Sequence, residues 1–381
     1  MTKKILRVLS YVLVALLASG ITLTFSYQPN HYTKLEQLQD LLMNNYINGA
    51  DATVLEDAAA SAMVQALGDR WSYYVPADEY AAFMEQKNNA YVGVGITITT
   101  SEEGYPVLKV TEGGPAEEAG LLVGDVIVEV NGNSVAGLPV DDGKGLVQGE
   151  AGTTVELTVR RGQERLTFTV ERRVVKTKVA TARMLEGNVG LVTIANFNAS
   201  CYAESKAAVL ELLDQGAEAL IFDVRYNGGG YADEMVKLLD YLLPQGNLFK
   251  TVDYQGNVNQ SVSDERCLQM PMAVLVNGSS YSAAEFFAAA LREYEWAVVV
   301  GEPTSGKGHF QVVYELKDGS AVGLSIGKYF TPNGECLEGV GIQPDVEVLI
   351  TDEAIAAEIY AGTLDPMKDP QILAAIEALK N

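Results

Sequence analysis

The chain has 381 residues, of which 48% are hydrophobic and 20% charged, so it is a globular protein long enough for two or three domains. Its formal net charge of −23 argues against a nucleic-acid partner, because a duplex-binding surface needs clustered Lys and Arg. The 3 cysteines contain no C-x-x-C pair, and there are only 2 histidines. We therefore expect neither a complete disulfide framework nor a zinc site, and no cofactor.

The N-terminus carries Lys3, Lys4 and Arg7, followed by an uncharged segment over residues 8–27. As a helix this segment would be roughly 30 Å long, enough to cross a hydrocarbon core. A cleaved signal peptide is the alternative, but Ala18-Ser19-Gly20 matches its cleavage site poorly. We expect a cytoplasmic N-terminus over residues 1–7, a single-pass signal anchor over 8–27 and an extracytoplasmic catalytic part on a bacterial-type cell membrane.

Three changes of pattern divide the rest of the chain. Residues 28–88 have apolar residues at helical spacing and predict a helical segment. Residues 89–172 begin with alternating Val92, Val94, Ile96 and Ile98 and continue as short strands and turns, which predicts a β-rich module. Residues 173–350 alternate strands with helices and predict an α/β domain with a largely parallel sheet. C-terminal helices are expected in 351–381.

The β-rich module resembles a PDZ domain. The resemblance rests on Tyr91–Ile96, on the run Gly114–Leu121 and on the run Gly124–Gly132. Glycines allow backbone N–H groups to converge on a terminal carboxylate, and the adjacent strand edge can pair with an extended peptide. The alternative is that these glycines only make tight turns in an unrelated β-domain. The resemblance implies that peptides bind at Val92, Gly93, Val94, Gly95 and Ile96.

Three segments of the α/β domain carry candidate chemistry: Asp223–Gly230, Val276–Glu285 and Gly301–Gln311. Ser282 is expected at the start of a helix, where a serine is commonly only a cap. The same position suits a nucleophile, because free N–H groups at a helix N-terminus stabilise a developing oxyanion.

The third segment contains G-x-x-x-x-G-K and invites a phosphate-loop interpretation. Gly308 stands where Ser or Thr should hold magnesium, and Glu302 places a negative charge in the loop. The residues after Lys307 also predict a strand rather than the helix that cradles phosphate. We therefore reject a nucleotide site.

Together the three segments resemble the C-terminal processing peptidases, also called tail-specific proteases. These are serine endopeptidases with a Ser–Lys dyad. The resemblance covers nearly the whole chain and implies a ClpP/crotonase-like α/β protease core with an inserted PDZ domain. It implies Ser282 as nucleophile, Lys307 as base and Gln311 as the residue that orients Lys307. It also implies an oxyanion hole made by backbone N–H groups of Gly228, Gly229 and Ala283.

The dyad has a simple physical requirement. A free lysine has a pKa near 10.4 and rarely accepts a proton at neutral pH. Burial disfavours the ammonium form, so a desolvated Lys307 can deprotonate Ser282 and support an acyl-enzyme. His309 is an alternative base, although a neighbouring or surface role fits it better. Tyr281 and Gln148 depart from the family, which usually has a small or hydroxyl residue and an arginine there.

We expect the substrates to be proteins or peptides with free, apolar C-termini, and relatives suggest a homodimer. Two other functions compete. One is a catalytically inactive, membrane-anchored PDZ scaffold that binds protein C-termini. The other is an acyl-CoA enzyme, which an extracytoplasmic location disfavours.

Overall fold

The structure is a computed structural model that describes residues 33–380, apart from the side chains of residues 141, 142 and 144. The predicted anchor over residues 8–27 lies outside the described part. Within the described residues, no helix is both long and apolar enough to span a membrane. The chain divides after Gly68 into two compact units.

The first unit contains two helices, each started by a side-chain cap. Thr33 and Glu36 form a reciprocal capping box, in which the Thr33 N–H donates to Glu36 Oε2 at 2.6 Å. Asp51 accepts the Val54 N–H at 3.1 Å and caps the second helix. The helices are α1 (Lys34–Asn45) and α2 (Ala52–Gln65).

The second unit opens with a short strand, a helix and the predicted β-rich module. Two paired strands, β2 and β9, connect the module to the rest of the unit, and its own sheet has the order β3-β4-β5-β7-β8 with β6 on β5. The elements are β1 (Tyr73–Val75), α3 (Ala77–Lys87), β2 (Ala90–Gly93), β3 (Ile96–Ile98), β4 (Tyr105–Val110), α4 (Pro115–Ala119), β5 (Val126–Val130), β6 (Asn133–Ser134), α5 (Val140–Val147), β7 (Thr154–Arg161), β8 (Glu164–Glu171) and β9 (Arg173–Lys176).

The remainder of the unit is the α/β core. Its elements are β10 (Ala180–Leu185), β11 (Val189–Ile194), α6 (Cys201–Asp214), β12 (Ala219–Asp223), α7 (Ala232–Leu242), β13 (Gly246–Asp253), β14 (Val258–Ser263), β15 (Met272–Val276), α8 (Ala283–Glu293), β16 (Ala297–Gly301), β17 (His309–Glu315), β18 (Ala321–Phe330), β19 (Val346–Glu347), α9 (Glu353–Ala361), a 3-10 turn (Pro366–Lys368) and α10 (Pro370–Ala378).

The main sheet has six strands in the order β10-β11-β12-β15-β16-β19. All of its pairs are parallel except β10 with β11, as the alternating pattern predicted. Every residue of β12 and β15 is buried, because helices cover both faces of a parallel sheet. Helix α8 is buried from Ala283 to Leu291, which fixes its N-terminus at the carboxyl end of β15.

A second, antiparallel sheet was not predicted. It has the order β1-β18-β13-β14, with β17 also on β18. Strand β1 pairs with β18, so residues 73–75 join the core although they fall inside the predicted helical segment 28–88.

The alternation of Val92, Val94, Ile96 and Ile98 predicts one continuous strand, and this prediction is wrong. The chain breaks at Gly95, whose φ of +81° turns it out of extended conformation. The carbonyls of Val94 and Gly95 accept the N–H groups of Ala116 and Thr111, both at 2.8 Å. The two halves therefore enter different sheets, β2 beside β9 and β3 beside β4.

Candidate active site

Ser282 lies in the turn between β15 and α8 and is only 7% exposed. Its φ of 59° and ψ of −126° are rare for a residue with a side chain, so the surrounding structure must hold it there. The Ser280 hydroxyl donates to the Val224 carbonyl at 2.8 Å, and the Tyr281 N–H donates to the Asn227 carbonyl at 3.2 Å. These bonds attach the turn to the end of β12 and present Ser282 at the edge of the sheet.

The glycine loop after β12 lies directly against Ser282. Asn227 shapes it by donating to the Ile194 carbonyl at 2.8 Å and accepting the Gly229 N–H at 2.9 Å. A Cβ at Gly229, where φ is +82°, would lie 2.8 Å from Ser282 Cβ and 3.0 Å from Ala283 N. Only glycine therefore leaves space beside Ser282.

The three predicted oxyanion donors differ in whether their N–H groups are free to donate a hydrogen bond. The Gly229 N–H is already bonded to the Asn227 side chain. In the described part of the chain, the N–H groups of Gly228 and Ala283 have no hydrogen-bond partner. Ala283 is also the first residue of α8, where the helix dipole adds positive potential.

Lys307 lies in the loop between β16 and β17, among aromatic rings. Its Nζ is 4.7 Å from the centroid of the Trp71 ring and 5.8 Å from that of Tyr281. Burial, aided by repulsion from Lys87, lowers the pKa of Lys307 to about 8, against weaker opposing attraction from acidic neighbours. At that pKa roughly a tenth of the side chain is neutral at pH 7. The acidic neighbours are Asp69, Glu338 and Glu285.

Glu285 joins the two halves of the site, although it is not among the site residues predicted from the sequence. This fully buried carboxylate accepts the Ser282 N–H at 2.9 Å and the Lys307 N–H at 2.8 Å through Oε2. Through Oε1 it accepts the Gly306 N–H at 2.7 Å and the Thr304 hydroxyl at 2.5 Å. The spacing Ser282-x-x-Glu285 fits a capping box, so the sequence could have indicated the contact of Glu285 with Ser282. It could not have indicated the contact of Glu285 with the Lys307 loop.

A second carboxylate supports the far side of the Lys307 loop. Glu338 Oε2 accepts the Gly308 N–H at 2.7 Å, and its Oε1 accepts the Trp71 indole N–H at 3.2 Å. His309 Nδ1 lies 3.4 Å from the same carboxylate. His309 is thus held at Glu338, where it supports the loop.

Gln311 is on β17, and its amide donates to the His309 carbonyl at 3.1 Å and to Ser325 Oγ at 3.0 Å. Among the described residues, no hydrogen bond joins Gln311 to Lys307, and none joins the Ser282 hydroxyl to the Lys307 amine. The backbone of Ser282 and Lys307 is brought together through Glu285. The role of Gln311 as the orienting residue stays a prediction.

The predicted peptide-binding residues border a separate groove of about 690 Å³. Gly93, Val94, Gly95 and Ile96 line it, whereas Val92 does not and donates its N–H to Glu85 at 3.2 Å. Three lysines also line this groove: Lys109, Lys176 and Lys178.

A second cavity, of about 630 Å³, borders the glycine loop beside Ser282. Tyr91, Gln148 and Thr177 line both this cavity and the groove. Arg172 fixes the segment that carries Gln148 by donating to the Val147 carbonyl at 2.7 Å. The groove of the β-rich module therefore adjoins the cavity at the candidate active site.

Comparison with known proteins agrees with this arrangement. The profile of peptidase family S41 matches residues 188–348, and a PDZ-domain profile matches residues 107–161. A "Probable CtpA-like serine protease" of Staphylococcus epidermidis is 32% identical over 348 residues, which are 90% of this chain and 70% of that protein. Its Staphylococcus aureus counterpart is 33% identical over 90% of this chain and 69% of that protein.

A solved photosystem II D1 C-terminal processing protease is 31% identical, covering 79% of this chain and 84% of that one, with a TM-score of 0.48. The family assignment rests on the sequence matches, which span both the β-rich module and the α/β core. The β-rich module is a PDZ domain, and the chain belongs to peptidase family S41 as a serine protease.

Proposed function

We propose that this serine protease is an endopeptidase in which Lys307 is the base for Ser282. The observation that carries the proposal is the Glu285 carboxylate, which accepts backbone N–H groups of both residues at 2.9 and 2.8 Å. Such charge-assisted bonds are stronger than neutral ones and hold the strained Ser282 turn against the Lys307 loop. The depressed pKa of Lys307, about 8, gives a neutral amine that can accept a proton.

The chemistry follows from these positions. Neutral Lys307 removes the Ser282 hydroxyl proton as the oxygen attacks the substrate carbonyl carbon. The oxyanion forms at the N–H groups of Gly228 and Ala283, which are free to donate. The Lys307 ammonium then protonates the leaving amine, the C–N bond breaks and an acyl-enzyme remains. Water, deprotonated by Lys307, hydrolyses this ester, while Gln311 serves to orient the lysine.

The PDZ groove supplies the substrate. A terminal carboxylate fits the N–H groups around Gly93–Ile96 and the positive charge of Lys109 and Lys176, whereas Lys178 lies 3.7 Å from Glu112 of the same groove. An extended chain with an apolar C-terminus would then continue past Gln148 into the cavity at the glycine loop. We further propose that residues 8–27 anchor the protein and that catalysis is extracytoplasmic. Nothing in the site favours the inactive-scaffold alternative.

The test uses the full-length chain and an unstructured protein with a free apolar C-terminus. Cleavage should be lost in Ser282→Ala and Lys307→Ala and retained in Ser279→Ala, a matched exposed serine of the same turn. Amidation of the substrate C-terminus should raise KM. Cleavage by Ser282→Ala or Lys307→Ala would disprove the dyad, and equal KM for the amidated substrate would disprove carboxylate capture by the PDZ groove.

A further inference from the structure

The cavity beside the glycine loop has a positive charge, Lys87, that contacts no substrate group in the proposed chemistry. Gly228, Gly229 and Tyr281 line one side of it, next to Ser282, and the end of α3 lines another. Lys87 is the last residue of α3 and lines the cavity. A substrate side chain that enters here is close to the scissile bond, because Gly228 is a proposed oxyanion donor.

Lys87 has no anionic partner in the described part of the chain. Its Nζ lies 5.7 Å from the centroid of the Phe83 ring, and burial lowers its pKa. The other charged side chain lining the cavity, Glu85, accepts the Val92 N–H at 3.2 Å. A favourable interaction with the α3 dipole explains a lysine at a helix C-terminus, but it does not explain one turned to a cavity.

Asn198 holds the end of α3 that carries Lys87 at this cavity. It lines the same cavity and is only 7% exposed. Its amide nitrogen donates to the carbonyl of Gln86, the residue before Lys87, at 3.3 Å.

We propose that this cavity is a subsite for an acidic substrate side chain adjacent to the scissile bond. Lys87 pairs with its carboxylate. This inference rests on the proposed endopeptidase function. Because the chain has a net charge of −23, an acidic segment is repelled by most of the surface, and the subsite supplies a local attraction.

The proposal makes Lys87 a specificity residue with a measurable signature. Full-length protein is assayed with quenched-fluorescent peptides that have a free apolar C-terminus. Each residue near the scissile bond carries Glu, Gln or Lys in turn. At one position we expect kcat/KM for Glu to exceed that for Lys by roughly tenfold, the scale of one charge-assisted hydrogen bond. The ratio should approach one in Lys87→Met and invert in Lys87→Glu.

Two further variants separate the possible failures. Lys317→Met removes an exposed lysine and should leave the ratio unchanged. In Ser282→Ala, fluorescence anisotropy should show tighter binding of the Glu peptide, and that preference should disappear when Lys87→Met is added. A wild-type ratio of one, or the same ratio in Lys87→Met, would overturn the subsite. Cleavage by Ser282→Ala would overturn the proposed function, and the anisotropy difference would still decide the subsite.

Discussion

Replacing Glu285 by Gln tests whether one buried carboxylate aligns the nucleophile with the base. The change keeps the size of the side chain but turns one acceptor oxygen into an amide donor. If the new NH2 group takes the position of Oε2, the N–H groups of Ser282 and Lys307 both lose their acceptor. If it faces the other pair, the Gly306 N–H loses its acceptor while Thr304 can rotate its hydroxyl.

The second orientation is the less costly, and it sets the expected magnitude. A hydrogen bond to a charged group contributes about 1.5–3 kcal/mol, and the bonds that remain lose their charge assistance. We therefore expect Glu285→Gln to lower the free energy of unfolding by about 3 kcal/mol. Release of Gly306 also loosens Lys307, and a displacement of about 1 Å at a catalytic group lowers kcat on the order of a hundredfold.

Urea unfolding measures the change in the free energy of unfolding. Steady-state cleavage in the absence of urea measures the change in kcat. Glu211→Gln is the matched control, because Glu211 makes its side-chain bond to Gln215 on the exposed face of α6. It should change neither quantity appreciably. If Glu285→Gln resembled this control in both stability and kcat, the proposed coupling through Glu285 would be refuted.

Three further predictions concern Lys307 and Gly229. The neutral amine of Lys307 is the active form, and burial lowers its pKa to about 8. We therefore expect kcat/KM to rise from pH 6 to pH 9 with a midpoint near 8. A flat profile would contradict Lys307 as the base. Lys307→Met should be inactive yet more stable than the wild type in thermal unfolding at pH 7. This difference in stability should shrink as the pH rises through 8 toward 10, because the buried wild-type lysine then loses its charge. A stability difference that is independent of pH would contradict this account. Gly229→Ala should lower kcat on the order of a hundredfold and the free energy of unfolding by about 1–3 kcal/mol. The reason is that the added Cβ would lie 2.8 Å from Ser282 Cβ at a φ of +82°. Unchanged kinetics and an unchanged urea midpoint would show that the loop can move aside.

The parallel core could be predicted because its strands are buried on both faces and alternate with helices. The antiparallel sheet could not, since β13, β14 and β17 mix polar residues with few buried positions. Strand β1 is three residues long and pairs with β18 far along the chain. Such pairing depends on tertiary contacts that a local pattern does not contain.

The candidate site shows a similar division. Ser282 and Lys307 could be identified from their segments and a family resemblance. Glu285 could be recognised locally only as a helix cap, because its contacts with Gly306 and Lys307 cross about twenty residues of chain. Gln311 was assigned through the resemblance, whereas its hydrogen bonds here go to Ser325 and the His309 carbonyl.

The pairing of β2 with β9 has an evolutionary consequence. Ala90 lies opposite Lys176 and Gly93 opposite Arg173, so the chain leaves for the PDZ domain and returns from it at adjacent positions. For the core, everything between those strands is equivalent to one long closed loop, and the entropy of closing a loop grows only slowly with its length. A domain with neighbouring termini can therefore be gained, lost or exchanged at this point during evolution while the catalytic scaffold keeps its own register.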